Sequence, residues 1–449
     1  MSHSKSFPQV KGHWLLGNLQ QFKADPFQAL CNWKQDYGDL LSFKLASQQC
    51  YLISHPKWVE HTLIKNNDVF VKMYDPAKPK GLALILGQGL VTSQGALWKR
   101  QRRLIQPVFQ RSHLASMLPQ MVTAGDNMLS RWQHLGGEAE VNLADEMMRL
   151  TLEVITQTMF STSVLDNVDK ISSSLETGLR YALRSASNPL NPPLFIPTAA
   201  NREFKQSRTL LDQIIYNIID QRRQQPSRKN DLLDMLLNAR DETNDQQMSN
   251  QQIRDEVITI FTAGHETTAN LLTWTLYLLA RHPTILQHLR SELECLQGKT
   301  PEAEDLQKLS FSRAVLNESM RIRPPVGMMM RKVAKTTEID GYTFKSGALA
   351  FFSIYNIHHH AAFWPDAEAF KPERFLTEEN RRFAFIPFGT GERICIGNHF
   401  AMMESQLLLS LIIQQYDIQL INHDEVEMDM AVSLRPKGGI PVRLKRRDR

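Results

Sequence analysis

Residues 249–282 contain no proline, and Gly264 is the one glycine among them. Ser249 and Gln252 stand at capping-box spacing, and Met248 with Ile253 at that of a hydrophobic staple, so the spacing predicts a helix start here. Nothing breaks this helix before Pro283, and at 1.5 Å per residue it spans about 50 Å. Apolar side chains surround most of it, and a helix that long and that apolar belongs in the middle of a large folded unit. Its midpoint breaks the pattern. There the chain reads Ala263-Gly264-His265-Glu266-Thr267-Thr268, and burying a carboxylate and two hydroxyls costs free energy that a purely structural helix avoids.

The rest of the chain is consistent with one large unit. Length alone, 449 residues, would suggest about three domains, yet no low-complexity stretch or internal repeat divides the sequence. The 52 basic residues against 47 acidic ones leave a charge of +5, too small an excess to point to nucleic acid. The densest basic run, Lys445-Arg446-Arg447, reads as a solvated tail. Four cysteines, none spaced as Cys-x-x-Cys, exclude a disulfide scaffold. Residues 1–10 lack the features of a signal peptide, and no run approaches the ~18 apolar residues of a membrane span. The expectation is a cytoplasmic protein with no transmembrane anchor.

Periodicity divides the elements. Residues 40–45 and 49–53 read as short strands, and His55-Pro56 opens a helix to about residue 65. From residue 96 to 323 the pattern is mainly helical, including an apolar stripe of Leu210, Leu211, Ile214, Ile215, Ile218 and Ile219. Residues 188–197, rich in proline, read as either a surface connection or an apolar lip over a cavity. Strands are expected at 338–344 and 348–354, and a helix resumes near Asn398. The fold class is mainly α with a minor β region: one domain over 1–449, β-rich at 39–54 and 338–354, helix-rich at 96–323 and 398–416.

The sharpest local signal is Phe388-Gly389-Thr390-Gly391-Glu392-Arg393-Ile394-Cys395-Ile396-Gly397. Its three glycines permit tight turns and close approach to a flat ligand. Cys395 stands just before a helix start, whose positive end favours a thiolate, and Arg393 sets a permanent cation beside it. Trp98 and Arg102 are one helical turn apart, as are Glu318 and Arg321.

This loop resembles the haem-binding segment of the cytochrome P-450 superfamily, and further motifs follow in that family's order along almost the whole chain. Trp98 and Arg102 resemble its Trp-x-x-x-Arg pair, residues 263–268 its oxygen-activation stretch, Glu318 and Arg321 its Glu-x-x-Arg pair, and Pro372-Glu373-Arg374-Phe375 the segment that supplies a second arginine. The resemblance implies a helix-rich domain around haem b plus a small β-sheet domain. Cys395 would be the axial iron ligand, donating electron density that favours O–O cleavage. Trp98, Arg102, Arg331 and Arg393 would hold the propionates, since arginine's fork suits carboxylates. Phe388, Gly389 and Gly397 would shape the loop, and Ala263 and Gly264 would border the haem, Gly264 leaving room for dioxygen. Thr267 and Glu266 would manage protons, and Glu318, Arg321 and Arg374 would form a buried structural triad. His358-His359-His360 looks like a metal tract, but His358 also falls where the family has a structural histidine before Trp364.

Position alone suggests Val91, Ile260, Val326, Met328 and Met329 as pocket residues, with the methionines near the haem edge. The implied function is a monooxygenase using O2 as co-substrate to oxidise a small lipophilic substrate, a fatty acid first and a terpenoid next. Only a short stretch follows Cys395, so electrons would come from a separate ferredoxin or flavodoxin with its NAD(P)H-dependent reductase. Lys99 and Arg103, on a different helix face from Trp98 and Arg102, would with Arg100 form a basic docking patch. Two other readings remain: a haem-thiolate peroxygenase or isomerase, which would not need Thr267 and Glu266, and a non-catalytic haem sensor.

Overall fold

The computed structural model describes residues 5–73, 75, 78–136, 138–162, 168–187, 191–224, 229–240, 247–377 and 381–447. Five helices carry the argument: α1 (Gly95–Ile105), α2 (Leu143–Phe160), α3 (Asn250–Arg281), α4 (Ser310–Ile322) and α5 (Asn398–Gln415). Five strands join them: β1 (Leu40–Leu45), β2 (Gln48–Ile53), β3 (Phe70–Val71), β4 (Met328–Val333) and β5 (Leu349–Ser353). The chain divides into two compact units. The first holds Met1–Met73, Asn317–Cys395 and Met428–Arg435; the second holds Tyr74–Leu316, Ile396–Glu427 and Pro436–Arg449. Among the described residues, no helix is long and apolar enough to cross a membrane.

The first unit is built on a sheet ordered β1-β2-β5-β4-β3. β1 and β2 form a hairpin in which Leu40 pairs with Ile53 and Leu45 with Gln48. β2 then runs parallel to β5, and β5 antiparallel to β4. Side chains alternate across the pleat. Tyr51, Ile53 and Phe352 join one apolar cluster, while Cys50, Leu52 and Phe351 join another. The stretch expected to be one strand at 338–344 is instead two, Thr337–Ile339 and Tyr342–Phe344, paired antiparallel. Asp340 and Gly341, both at positive φ (51° and 84°), make the two-residue turn that such hairpins favour.

The second unit is organised around α3. Its capping box is present, with the Gln252 N–H donating to Ser249 Oγ at 3.2 Å and the Ser249 N–H to Gln252 Oε1 at 3.1 Å. The apolar stripe of residues 210–219 lies in the helix Ala199–Gln224, which buries Leu211, Ile215 and Ile219. In the connection before it, Phe195 is 80% exposed, and Asn201 Nδ2 ties the carbonyls of Pro193 and Ile196, each at 2.8 Å. Residues 188–190 of that connection lie outside the described residues. The expected basic tail is a strand. Pro441–Arg446 is the middle of a three-stranded sheet, with Val442 and Leu444 buried and Arg443 paired to Glu140 at 2.8 Å.

Candidate functional site

In the first unit, α4 carries Glu318 and Arg321 to positions with no solvent exposure. Arg321 Nε and Nη2 donate to the two Glu318 oxygens at 2.7 and 2.8 Å, the paired geometry that makes arginine–carboxylate contacts strong. Arg374 Nε approaches Glu318 Oε1 at 3.3 Å, and the Lys371 N–H donates to the same oxygen at 2.9 Å. The rest of the Arg321 fork reaches the carbonyls of His358, Ala367 and Ala369. A buried ion pair needs this many partners, because each unmet polar atom would be costly.

His358 continues the connection. Its Nδ1 lies 3.2 Å from the Met320 carbonyl, and its Nε2 accepts from the Ile386 N–H at 2.9 Å. Burial holds the ring neutral, its pKa pushed down to about 3. His359 lies against Tyr355, and His360 Nε2 meets Asp39 at 3.0 Å. Asp39, His55 and His360 do come together as three possible metal ligands. Yet Nδ1 of His55 accepts from the Lys57 N–H and Nδ1 of His360 from the Ala362 N–H. Each histidine of the run thus has a partner within the protein.

From Ile386 the chain enters the cysteine loop. The Gly389 N–H donates to the Ile386 carbonyl and the Cys395 N–H to the Phe388 carbonyl, each at 2.9 Å, which closes the loop on itself. Gly389 and Gly391 take φ of 71° and 73°. At Gly391 a Cβ would also lie 2.8 Å from the Leu63 carbonyl, so only glycine fits. Cys395 is exposed, while Phe388 and Arg393 are half-buried. Cys395 precedes Gly397, the N-cap of α5, by two residues.

Beside this loop the sheet brings cations together. Val71 pairs with Lys332, which sets Lys72 beside Arg331 across the β3–β4 ladder. Burial pushes the Lys72 ammonium down to about 7, and the charges of Arg331 and Arg393 push it the same way. Lys72 as a whole residue is only half-buried, but its charged end lies in dense surroundings. Burial also pushes Arg331 down to about 10, with Glu392 opposing. Arg331 Nη1 donates to the Met330 carbonyl at 2.8 Å. Three cations gathered beside the loop suit a dianionic ligand, and two propionates would fit it.

β4 corrects the reading of the methionines. Strand alternation sends Met329, with Val326, to one cluster and Met328 to the other. Met329 lies beside Gly389, its sulfur 3.5 Å from where a Cβ would stand; Met328 faces away from that side.

In the second unit, α3 carries the exposed window. From Ile253 to Leu279 every residue is buried except Ala263, Gly264 and Thr267, which share one helical face. The Thr267 hydroxyl donates to the Ala263 carbonyl at 2.8 Å. Glu266 is buried at 7% exposure and Ile260 likewise at 7%. His265, next to them, is held neutral by burial, its pKa pushed down to about 4. At Gly264 a Cβ would lie 2.7 Å from Ile155 Cδ1, so the glycine also allows α2 to pack closely against α3.

Trp98 is buried and Arg102 half-buried on α1. Both line an open crevice of about 430 Å³ together with Lys99, Arg103 and Gln106. Lys99 and Arg103 are exposed, whereas Trp98 is buried on the neighbouring face of the same helix. Gly397 in this unit packs against Phe109, whose ring would stand 3.5 Å from a Cβ at that position.

Sequence reasoning missed two features. Lys72 was one, because a two-residue strand gives no periodicity and its partner comes from β4, far along the chain. The other is the loop before α1. Its Gln88 and Leu90 N–H groups donate to Asp255 Oδ2 (2.8 Å) and Glu256 Oε2 (2.9 Å) of α3. Gln101 Nε2 holds the Gln88 carbonyl at 2.8 Å. This fixes the approach to Val91, which is half-buried. Burial pushes the Glu256 carboxyl up to about 8, and Asp255 adds to the shift. Two carboxylates in an apolar helix were the available signal, on the same argument that singled out Glu266.

The chain matches the family model described as Cytochrome P-450 over residues 8–442. It is 32% identical to cyclooctatin synthase of Streptomyces melanosporofaciens, over 94% of this chain and 91% of that protein. It is also 32% identical to pentalenene oxygenase of Streptomyces avermitilis (85% and 84% covered) and to a cytokinin hydroxylase of Arabidopsis thaliana (92% and 82%). The chain belongs to the cytochrome P-450 family, and it is a monooxygenase of that family. The family implies haem with a cysteine thiolate, and dioxygen as co-substrate.

Proposed function

We propose that this monooxygenase inserts one oxygen atom from O2 into a C–H bond of a terpenoid, with electrons from a separate ferredoxin or flavodoxin. The observation that carries the oxygen-activating role is the window on α3: Ala263, Gly264 and Thr267 are accessible in an otherwise buried stretch, and Thr267 offers a fixed hydroxyl there. The preference for a terpenoid over the fatty acid rests on the relatives named for cyclooctatin and pentalenene.

Bound haem would supply the oxidising chemistry. Cys395 would ligate the iron, and Lys72, Arg331, Arg393, Trp98 and Arg102 would hold the propionates. Phe388, Gly389 and Gly397 would shape the backbone near the ligand. Thr267 directs its proton to Ala263, so toward the accessible side its oxygen presents lone pairs that can accept and hold a proton donor. Glu266, one residue away, would deliver protons to that point. Val91 and Met329 would line the substrate pocket with Val326. Lys99 and Arg103, at the rim of their crevice, would attract an acidic electron donor.

Two measurements test this reading. Reduced protein with carbon monoxide should give the red-shifted Soret band of thiolate haem, and Cys395→His should move it to the imidazole position. Titration of the ferric protein with terpenoids and with fatty acids should give a low-to-high-spin shift for the terpenoids at lower concentration. The reverse order would return the fatty acid to first place.

A further inference from the structure

An exposed turn in the first unit has no part in the chemistry above. His13 and Gly17 exchange both backbone hydrogen bonds, His13 N–H to the Gly17 carbonyl at 2.9 Å and Gly17 N–H to the His13 carbonyl at 2.8 Å. The His13 Nδ1 caps the turn from inside, accepting from the Leu15 and Leu16 N–H groups at 3.2 and 3.3 Å. The base is clamped as well: the Asn18 N–H donates to the Lys44 carbonyl at 2.6 Å and the Ala46 N–H to the Leu16 carbonyl at 3.0 Å. On this rigid support Trp14 is 86% exposed and Leu15 59%. The other six tryptophans are each 9% exposed or less. A chain that buries every other indole and builds a hydrogen-bonded turn to present this one is presenting it to something.

The surroundings state the chemistry of the partner. No Asp or Glu stands before Asp25 in the sequence, and Lys11, His13 and Lys44, which the turn's own hydrogen bonds bring together, are all exposed. Lys11 and Lys44 belong to the clamp itself, through the bonds of their carbonyls to Asn18. Tryptophan has an apolar body and a polar N–H, and it favours the boundary between headgroups and hydrocarbon. A protein partner is less well suited. A stable interface needs about 800 Å² per side, and one tryptophan with one leucine supplies a fraction of that. Shallow insertion into a lipid surface needs only such a tip, with cations around it to meet anionic headgroups.

We propose that the Trp14–Leu15 turn docks the protein on an anionic membrane surface. The docking is peripheral: Trp14 and Leu15 enter the headgroup boundary, and the lysines stay in water above it.

The experiment uses haem-loaded full-length protein and two vesicle preparations, one of phosphatidylcholine alone and one with phosphatidylglycerol as a third of the lipid. Cosedimentation should be about tenfold stronger with the anionic vesicles and should weaken as salt rises. Phosphatidylglycerol brominated on its acyl chains should quench a component of the indole emission that Trp14→Phe removes, since the other indoles are buried. Trp14→Ser combined with Leu15→Ser should lower binding about tenfold while the carbon monoxide spectrum stays as in the wild type. Equal binding to both vesicle types, or full binding by the double variant, overturns the proposal. A dimer in sedimentation equilibrium that the double variant abolishes, with no vesicle binding, would assign the turn to a second copy of the chain instead. None of these outcomes depends on which substrate the enzyme oxidises.

Discussion

His358 Nε2 accepts the Ile386 N–H at 2.9 Å, and that one bond joins the buried ion pair of α4 to the start of the cysteine loop. Arg321 bonds the His358 carbonyl at 3.1 Å, and Ile386 in turn accepts from Gly389 at 2.9 Å. The path from Glu318 to the loop therefore runs through hydrogen bonds with no solvent in it. His358→Ala leaves a buried N–H unmet and should destabilise the fold by about 1–3 kcal/mol. It should also let the loop relax, so a larger share of the carbon monoxide complex should absorb at the position of a lost thiolate ligand. Denaturation curves and spectra of the variant check both effects.

Glu318 tests the other end of the path. Glu318→Ala strands Arg321 as an uncompensated buried cation, with an expected loss of about 3–5 kcal/mol. Glu318→Gln keeps an acceptor for the Lys371 N–H and should lose less. A thermal or urea melt of both variants decides this; equal losses would mean that shape rather than charge holds the triad.

Much of the fold and part of the site were legible from local pattern. The start of α3 was readable because a capping box is a local device. Glu318 and Arg321 were readable as a pair because three residues of helix bring them to one face. Gly389 and Gly391 announced themselves because positive φ excludes most other side chains. What stayed hidden depends on partners distant in sequence. Lys72 meets Arg331 only through a ladder between strands more than half the chain apart. The contact of Gly264 with Ile155 joins two separate helices, and the split of Met328 from Met329 needed β4 to be recognised as a strand. The Asp340-Gly341 turn, by contrast, is a local signal, since an Asp-Gly pair between two short apolar runs marks a hairpin by itself.

Glu256 gives the clearest dependence on pH. Its carboxyl is pushed from an ordinary 4.5 up to about 8, chiefly by burial. Below about 4.5 both folded and unfolded chains hold the proton. Between that pH and about 8 the unfolded chain has lost it and the folded chain keeps it, so stability falls as pH rises through this window. Glu256→Gln removes the effect while keeping an acceptor for the Leu90 N–H. The variant should match the wild type near pH 5 and exceed it at pH 8.5 by at least ~1 kcal/mol, the equivalent of about one pKa unit. Urea denaturation at the two pH values measures the difference, and a constant offset would show that Glu256 ionises normally.

Lys72 makes opposite predictions for loaded and empty protein. With no anion bound, its ammonium is opposed by burial and by Arg331 and Arg393, so Lys72→Met should leave the apoprotein as stable as before or more so. With haem bound, the same change removes a cation from the propionates, and transfer of haem to apomyoglobin should quicken several-fold. Lys72→Arg should restore slow release. A variant that weakens both forms equally would make Lys72 a packing residue.

Thr267 separates oxygen activation from mere helix packing. It is one of three residues in the central stretch of α3 that are not buried, and its hydroxyl is fixed by the Ala263 carbonyl at 2.8 Å. Thr267→Ala removes one hydroxyl and one methyl from a half-buried position, so the variant should fold, bind haem and bind substrate as the wild type does. Water would then take the place of a hydroxyl whose lone pairs held a fixed direction, and protons would reach the wrong oxygen atom. Reductant should still be consumed, with much of it lost as hydrogen peroxide, and product formed per NAD(P)H should fall several-fold. Turnover driven by added peroxide should fall much less, since it does not require dioxygen to be activated. Thr267→Ser keeps the hydroxyl and should restore most of the yield. If the ratio of product to NAD(P)H is the same in Thr267→Ala and the wild type, Thr267 serves the helix alone, and the case for a peroxygenase or isomerase grows at the expense of the monooxygenase mechanism.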